Sequence, residues 1–294
     1  MAERLTDIVT KIQNIQQLQA VFTALRGIAA SRAQNGRSLL AGIEEYTEVI
    51  SRAIGQALTL LPIEMAAGRV HDQSKHGLIF FCAEQGFAGA FSERVFVAAG
   101  ADVKAAANLV IGTRGATVAS ERGIKADWSA AMTTRVDGIP NFANRLADVL
   151  YSYLAQGTIA TVDILFSRSI SGSIRIDRHS LLPIDFTRFA RPSEKQPPLI
   201  ALAPELLLER LAAEYVYAQL CEAAMHAFVA ENEARMIAMM AARNNTETKL
   251  HELQHRERQL RQEEITTEIV ELAVGAEASR APRAPAARGS LAML

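Results

Sequence analysis

The chain has 294 residues, 49% of them hydrophobic and 21% charged, which suffices for a sizeable core in one or two domains and excludes disorder over most of its length. Its 31 Lys and Arg nearly cancel 32 Asp and Glu, and a net charge of -1 lacks the basic excess of a dedicated nucleic-acid binder. Cys82 and Cys221 lie far apart in apolar stretches and read as buried free thiols in a reducing compartment. No apolar run is long enough to span a bilayer and the N-terminus lacks the apolar core of a secretory signal, so membrane association is expected only through partners.

The first segment, residues 1–62, carries apolar residues at Leu5, Ile8, Ile12, Ile15, Leu18, Phe22, Leu25 and Ile28. Steps of three and four predict one long helix, roughly 80 Å at the helical rise, ended by Pro62. Gly27, Gly36, Gly42 and Gly55 each cost such a helix about 1 kcal/mol against Ala. They are explained only by packing or by the close approach of a neighbour.

Residues 70–200 change character. Short apolar runs at 77–83, 108–112 and 161–167, and a partly alternating run at 173–184, predict strands. Helical stretches at about 91–106, 113–122 and 140–156 fall between them. Strands alternating with helices predict a small, open, mostly parallel α/β sheet with Rossmann-like order.

The last segment, 203–276, opens at Pro204 and meets no glycine before Gly275, which predicts a second long helix. Its later stripe is Leu250, Leu253, Leu260, Ile265, Ile269 and Leu272. The tail 277–294, rich in Ala, Pro and Arg, is expected to be disordered. Two terminal helices of similar period bury their stripes most economically on each other, as an antiparallel coiled coil. The C-terminal helix is the longer, so its excess is expected to project alone and to need a partner protein.

Local motifs on this layout resemble the gamma subunit of the F-type ATP synthase, over roughly residues 3–278. The most specific are Ala234-Arg235-Met236-Ile237-Ala238-Met239-Met240 through Asn244-Asn245, and Arg261-Gln262 followed by Ile265-Thr266-Thr267-Glu268-Ile269 and Val274-Gly275-Ala276. Ala24-Leu25 with Ile28-Ala29-Ala30-Ser31-Arg32 is similar to the family's N-terminal pattern. Gln85-Gly86-Phe87-Ala88-Gly89-Ala90 resembles its glycine turn, and Ile111-Gly112 with Gly115 a further short motif. Gln17, Leu18 and Ala20 replace the family's usual basic residues, and Gln85 stands where an Arg is typical, which suggests a divergent or second-copy rotary ATPase.

The resemblance implies a non-catalytic central-stalk rotor without a cofactor. Its implied partners are the alpha, beta and epsilon subunits and the membrane c-ring, at the cytoplasmic face of a bacterial inner membrane. It also implies that Arg261, Gln262, Thr266 and Glu268 contact the beta subunits. Gly86, Gly89, Arg235, Met236 and Met239 are then structural positions, the methionines facing the N-terminal helix.

Other motifs compete with this reading. His251-Glu252-Leu253-Gln254-His255 matches the HExxH pattern of zinc proteases, in which two histidines one helical turn apart share a metal. Leu253 belongs to the apolar stripe, so its flanking histidines are expected to be solvated, and no metal site is expected. The 85–90 loop follows a strand and precedes a helix as a phosphate loop does, but it lacks the GxGxxG spacing and reads as a structural turn. A static coiled-coil adaptor fits the two helices equally well; only the family motifs favour a rotor.

Overall fold

The computed structural model describes residues 5–61, 75–104, 106–170, 172–190 and 199–280, except for the side chains of 278–280. The chain divides into two compact units, Thr23–Ala241 and the paired chain ends Met1–Phe22 with Ala242–Leu294. The expected disordered tail falls outside the described residues from 281 onward, whereas 277–280 are helical.

The elements in chain order are α1 (Leu5–Leu58), β1 (Lys75–Phe81), α2 (Phe91–Ala99), β2 (Ala107–Ile111) and α3 (Thr113–Glu121). They continue with β3 (Trp128–Ala130), α4 (Ile139–Ala155), β4 (Ile159–Ile170), β5 (Ser173–Leu182) and α5 (Pro204–Arg280). The predicted helix over 91–106 is shorter, because Gly100 leaves the α region at φ 60° and the chain tightens into a 3₁₀ turn over Gly100–Lys104. The three-residue β3 carries too little periodicity to be read from sequence.

In the unit Thr23–Ala241 the sheet has the order β3-β2-β1-β4-β5, parallel except for the β4–β5 pair. One face packs Ile79, Phe81, Leu109, Ile111 and Phe166 against α4, through Phe142 and Leu146, and against α5, through Leu220, Ala224 and Phe228. The opposite face packs Leu78, Phe80, Val110 and Leu165 against Val95 and Phe96 of α2 and Val118 of α3. Burial on both faces is why β1 reads as a continuous apolar run and not an alternating one.

Within the same unit α1 and α5 run antiparallel, since Arg37 meets Glu233 and Glu44 meets His226. Here the seam departs from the expected stripe: Ile28 is 51% exposed, while Ala29, Ala33 and Gly36 are buried. A Cβ on Gly36 would stand 2.6 Å from Val229 Cγ2, so the glycine admits a close approach of the helices. Gly27 and Gly42 face open space, and no packing accounts for them.

In the unit of the chain ends, Ile8 and Ile12 are buried, and Leu5, Ile15, Leu250, Leu253 and Leu260 are half-buried. Leu18 departs from the predicted stripe and is 47% exposed. Residues 261–277 of α5 are exposed throughout.

Candidate functional site

Two places gather the candidate side chains. The first surrounds the turn after β1, and glycine packing builds it. Gly112, at φ 104°, donates its N–H to the Ala130 carbonyl at 2.8 Å, and Gly115 donates to Ala83 at 3.0 Å. A Cβ on Gly115 would fall 2.1 Å from Cys82 Cβ, so α3 lies directly on the end of β1. The Ile111-Gly112-x-x-Gly115 motif is therefore a close-packing device.

The start of α3 is occupied from within the chain. The Glu84 carboxylate accepts from Thr113 N at 2.9 Å, Thr113 Oγ1 at 2.8 Å and Met132 N at 2.8 Å. A bound phosphate would use those same helix N-terminal donors and would meet a carboxylate already there. The turn before α2 is likewise engaged from within the chain, since the Glu231 carboxylate accepts from the N–H groups of Glu84 and Gln85, so the 84–90 segment reads as a structural turn. Phe87 (φ 63°) and Gly89 (φ 60°) take the left-handed conformation that bends it.

α5 clamps this turn through the run Glu231-Asn232-Glu233-Ala234-Arg235, whose two glutamates, asparagine and arginine are all buried. The Glu231 carboxylate accepts from the backbone N–H groups of Glu84 and Gln85 at 3.1 and 3.2 Å. Arg235 donates to the carbonyls of Gly86 and Gln85, each at 3.1 Å, to Asn232 Oδ1 at 3.2 Å, and to Glu231. Two steps along, Glu233 accepts from Arg37 of α1 and from Ser169 of β4. One helical turn of α5 thereby bonds the turn, the sheet and α1. The predicted Gly86 and Arg235 come together in this knot, and Gln85 also accepts from Arg32 of α1 at 3.2 Å.

Met239 is buried and Met236 half-buried, while Met240 is 45% exposed. Sequence reasoning missed Glu84, Glu231 and Glu233. The pairing of Glu231 with Arg235 at i,i+4 was the available signal, but that spacing usually marks a solvated face. Two more missed residues, His226 and Arg168, lie further down: His226 is buried against Phe166 with Glu44 and Glu222 beside it. Cys82 and Cys221 are both buried free thiols, and burial pushes their pKa values up, which leaves them unreactive.

The second place is the far end of α5. Arg261, Gln262, Thr266 and Glu268 are all exposed. Arg261 pairs with Glu257 at 2.7 Å, and Thr266 Oγ1 donates to the Gln262 carbonyl at 2.8 Å. The four do not share one face. At about 100° per residue, Arg261 and Glu268 form one strip, Gln262 and Thr266 another, and Ile265, Ile269 and Leu272 lie between them. Those three apolar side chains are 52–69% exposed.

His251 and His255 are exposed, and Glu252, the base that a zinc protease would need, pairs with Lys249 at 2.7 Å. The structure gathers no third ligand around these histidines among the described residues.

The fold and these contacts define a class: a long-helix protein with an inserted three-layer α/β domain, in which close-packed glycines and a buried ion pair hold the turn after β1 to α3 and α5. The chain belongs to the ATP synthase family, whose model matches residues 4–278. It is 24% identical to the ATP synthase gamma chain of Bdellovibrio bacteriovorus, over 93% of this chain and 98% of that one. It is likewise 24% identical to the ATP synthase gamma chain of Moorella thermoacetica, over 92% of this chain and 98% of that one. Its fold is similar to that of a chain in the cryo-EM structure of the Euglena gracilis mitochondrial ATP synthase, with TM-score 0.66 and 10% identity over 98% of this chain and 99% of that chain. A chain in the central stalk and c-ring structure of the Tetrahymena thermophila mitochondrial ATP synthase aligns with TM-score 0.52 and 15% identity, over 76% of this chain and 99% of that chain.

Proposed function

We propose that this chain is the central-stalk rotor subunit of an F-type ATP synthase, at the cytoplasmic face of a bacterial inner membrane. The observation that carries the reading is the family match from residue 4 to 278, which takes in both long helices and the α/β domain between them. The chain performs no chemistry of its own. Ion flow turns the membrane ring, the ring turns this subunit with epsilon, and the upper part of α5 turns among the alpha and beta subunits. A rotor biases catalytic sites only if its different faces bind their alternative conformations with different free energies. The end of α5 supplies such faces: an apolar stripe of Ile265, Ile269 and Leu272, with Arg261 and Glu268 on one flank and Gln262 and Thr266 on the other.

No helix among the described residues is long and apolar enough to cross a membrane, in keeping with attachment through the ring. The structure offers nothing to the zinc-protease reading at His251 and His255, and the family match leaves the static adaptor without support. Co-expression with the alpha and beta subunits tests the assignment. Native mass spectrometry is expected to find one copy of this chain with three alpha and three beta subunits. A chain that ignores them would overturn it.

A further inference from the structure

Where α1 and α5 face each other within the unit Thr23–Ala241, three possible metal ligands converge. His226 and Glu222 lie one turn apart on α5 and Glu44 faces them from α1, with their donor atoms all within 4.8 Å of one another. The His226 ring is stacked on Phe166, with centroids 5.8 Å apart and planes 19° apart, which fixes its direction. Its Nε2 is buried and has no hydrogen-bond partner. That nitrogen instead lies 3.4 Å from Glu44 Oε1 and 3.9 Å from Glu222 Oε1. A buried, oriented, unsatisfied ring nitrogen aimed between two carboxylates is costly unless something fills the gap.

We propose that Glu44, Glu222 and His226 form a divalent transition-metal site, best suited to zinc, that ties α1 to α5. A tetrahedral ion with bonds of about 2.0–2.2 Å holds its ligand atoms about 3.3–3.6 Å apart. The His226–Glu44 spacing already matches that edge, the His226–Glu222 spacing must close from 3.9 Å, and the two carboxylates, within 4.8 Å of each other, must draw together on the ion. The imidazole donor selects zinc and its transition-metal neighbours over magnesium and calcium, which prefer oxygen.

Charge also balances. The two carboxylates offset a divalent ion, and the neighbouring Arg168 keeps Asp177 at 3.0 Å if Glu222, now 3.3 Å from it, turns to the metal. The other ring nearby, His179, meets Phe166 edge-on. Burial first, then Arg168 and His179, lower the His226 pKa. Glu44 is half-exposed and provides the entry path and room for a water as fourth ligand.

The full-length chain, stripped with a chelator and titrated with zinc chloride by calorimetry, tests this. Wild type is expected to take up one zinc per chain and to melt at a higher temperature with it. The variant His251→Ala with His255→Ala should do the same. Glu44→Gln, a change at an exposed helix position, should abolish stoichiometric uptake and the melting shift while leaving the metal-free melting curve unchanged, and Glu222→Gln should abolish uptake independently. Failure of wild type to bind zinc would overturn the proposal. So would equal uptake by Glu44→Gln and wild type, or loss of uptake only on replacing His251 and His255.

Discussion

Replacing Arg235 by Ala removes the centre of the knot that holds the turn after β1. The side chain donates to two carbonyls of the turn, Gln85 and Gly86, to Asn232, and to the buried Glu231 carboxylate. Hydrogen bonds to charged groups contribute about 1.5–3 kcal/mol each, but these share one side chain and one desolvation cost, so their sum is not the loss. The controlling quantity is the cost of breaking a buried ion pair, about 3–5 kcal/mol. Glu231 keeps the N–H groups of Glu84 and Gln85, which places the expected loss near the lower end, about 3 kcal/mol.

Urea denaturation of the full-length chain at low concentration measures it, followed by the fluorescence of Trp128, the only tryptophan, on β3. Arg235→Lys keeps the charge without the planar fork and should fall between Ala and wild type. Glu231→Gln with Arg235→Ala should cost less than the sum of the single changes, because the two groups are coupled. A midpoint for Arg235→Ala within error of wild type, or strict additivity with Glu231→Gln, would refute the account of the knot.

Gly115→Ala places a methyl 2.1 Å from Cys82 Cβ, and α3 must move off β1; overpacking of this kind costs about 1–3 kcal/mol, visible as a lower melting temperature. Gly27→Ala, at an exposed helical position facing open space, should instead stabilise by about 0.4–1 kcal/mol in the same assay. Arg261→Ala with Gln262→Ala should lower ATP-driven ion pumping and rotor torque at unchanged assembly and melting, since both side chains are exposed and Ala favours the helix. Unchanged pumping would leave the two residues as a solvated face.

The two long helices, the four longer strands and the helices between them were legible because burial sets their apolar pattern: steps of three and four in the helices, and mostly continuous runs in strands buried on both faces. The course of the helix seam was legible only in part. The heptad-like row of large residues in α1 runs on to Ile28, yet beyond Phe22 the seam passes to Ala29, Ala33 and Gly36. Close helix packing selects small residues there, and small residues carry no hydropathy signal. The glycine turn and Arg235 were singled out separately, but their meeting was not legible, because the bonds join backbone carbonyls to a helix far along the chain. Glu231 and Glu233 read as ordinary surface charges for the same reason: burial of an ion is a tertiary fact. The Glu44, Glu222 and His226 cluster escaped notice because its parts lie on two distant helices, whereas His251 and His255 attracted notice only by matching a short pattern.

Rotation of the chain inside an assembled head tests the central claim most directly. Cys82 and Cys221 are buried, so Ser120→Cys on the exposed side of α3 gives a single reactive thiol for a bead or gold rod. With the alpha and beta subunits fixed to glass and ATP supplied, the account predicts one-way rotation of the probe in one-third turns, one for each catalytic beta subunit. A probe that stays still, or only jitters, while the head hydrolyses ATP would contradict the account.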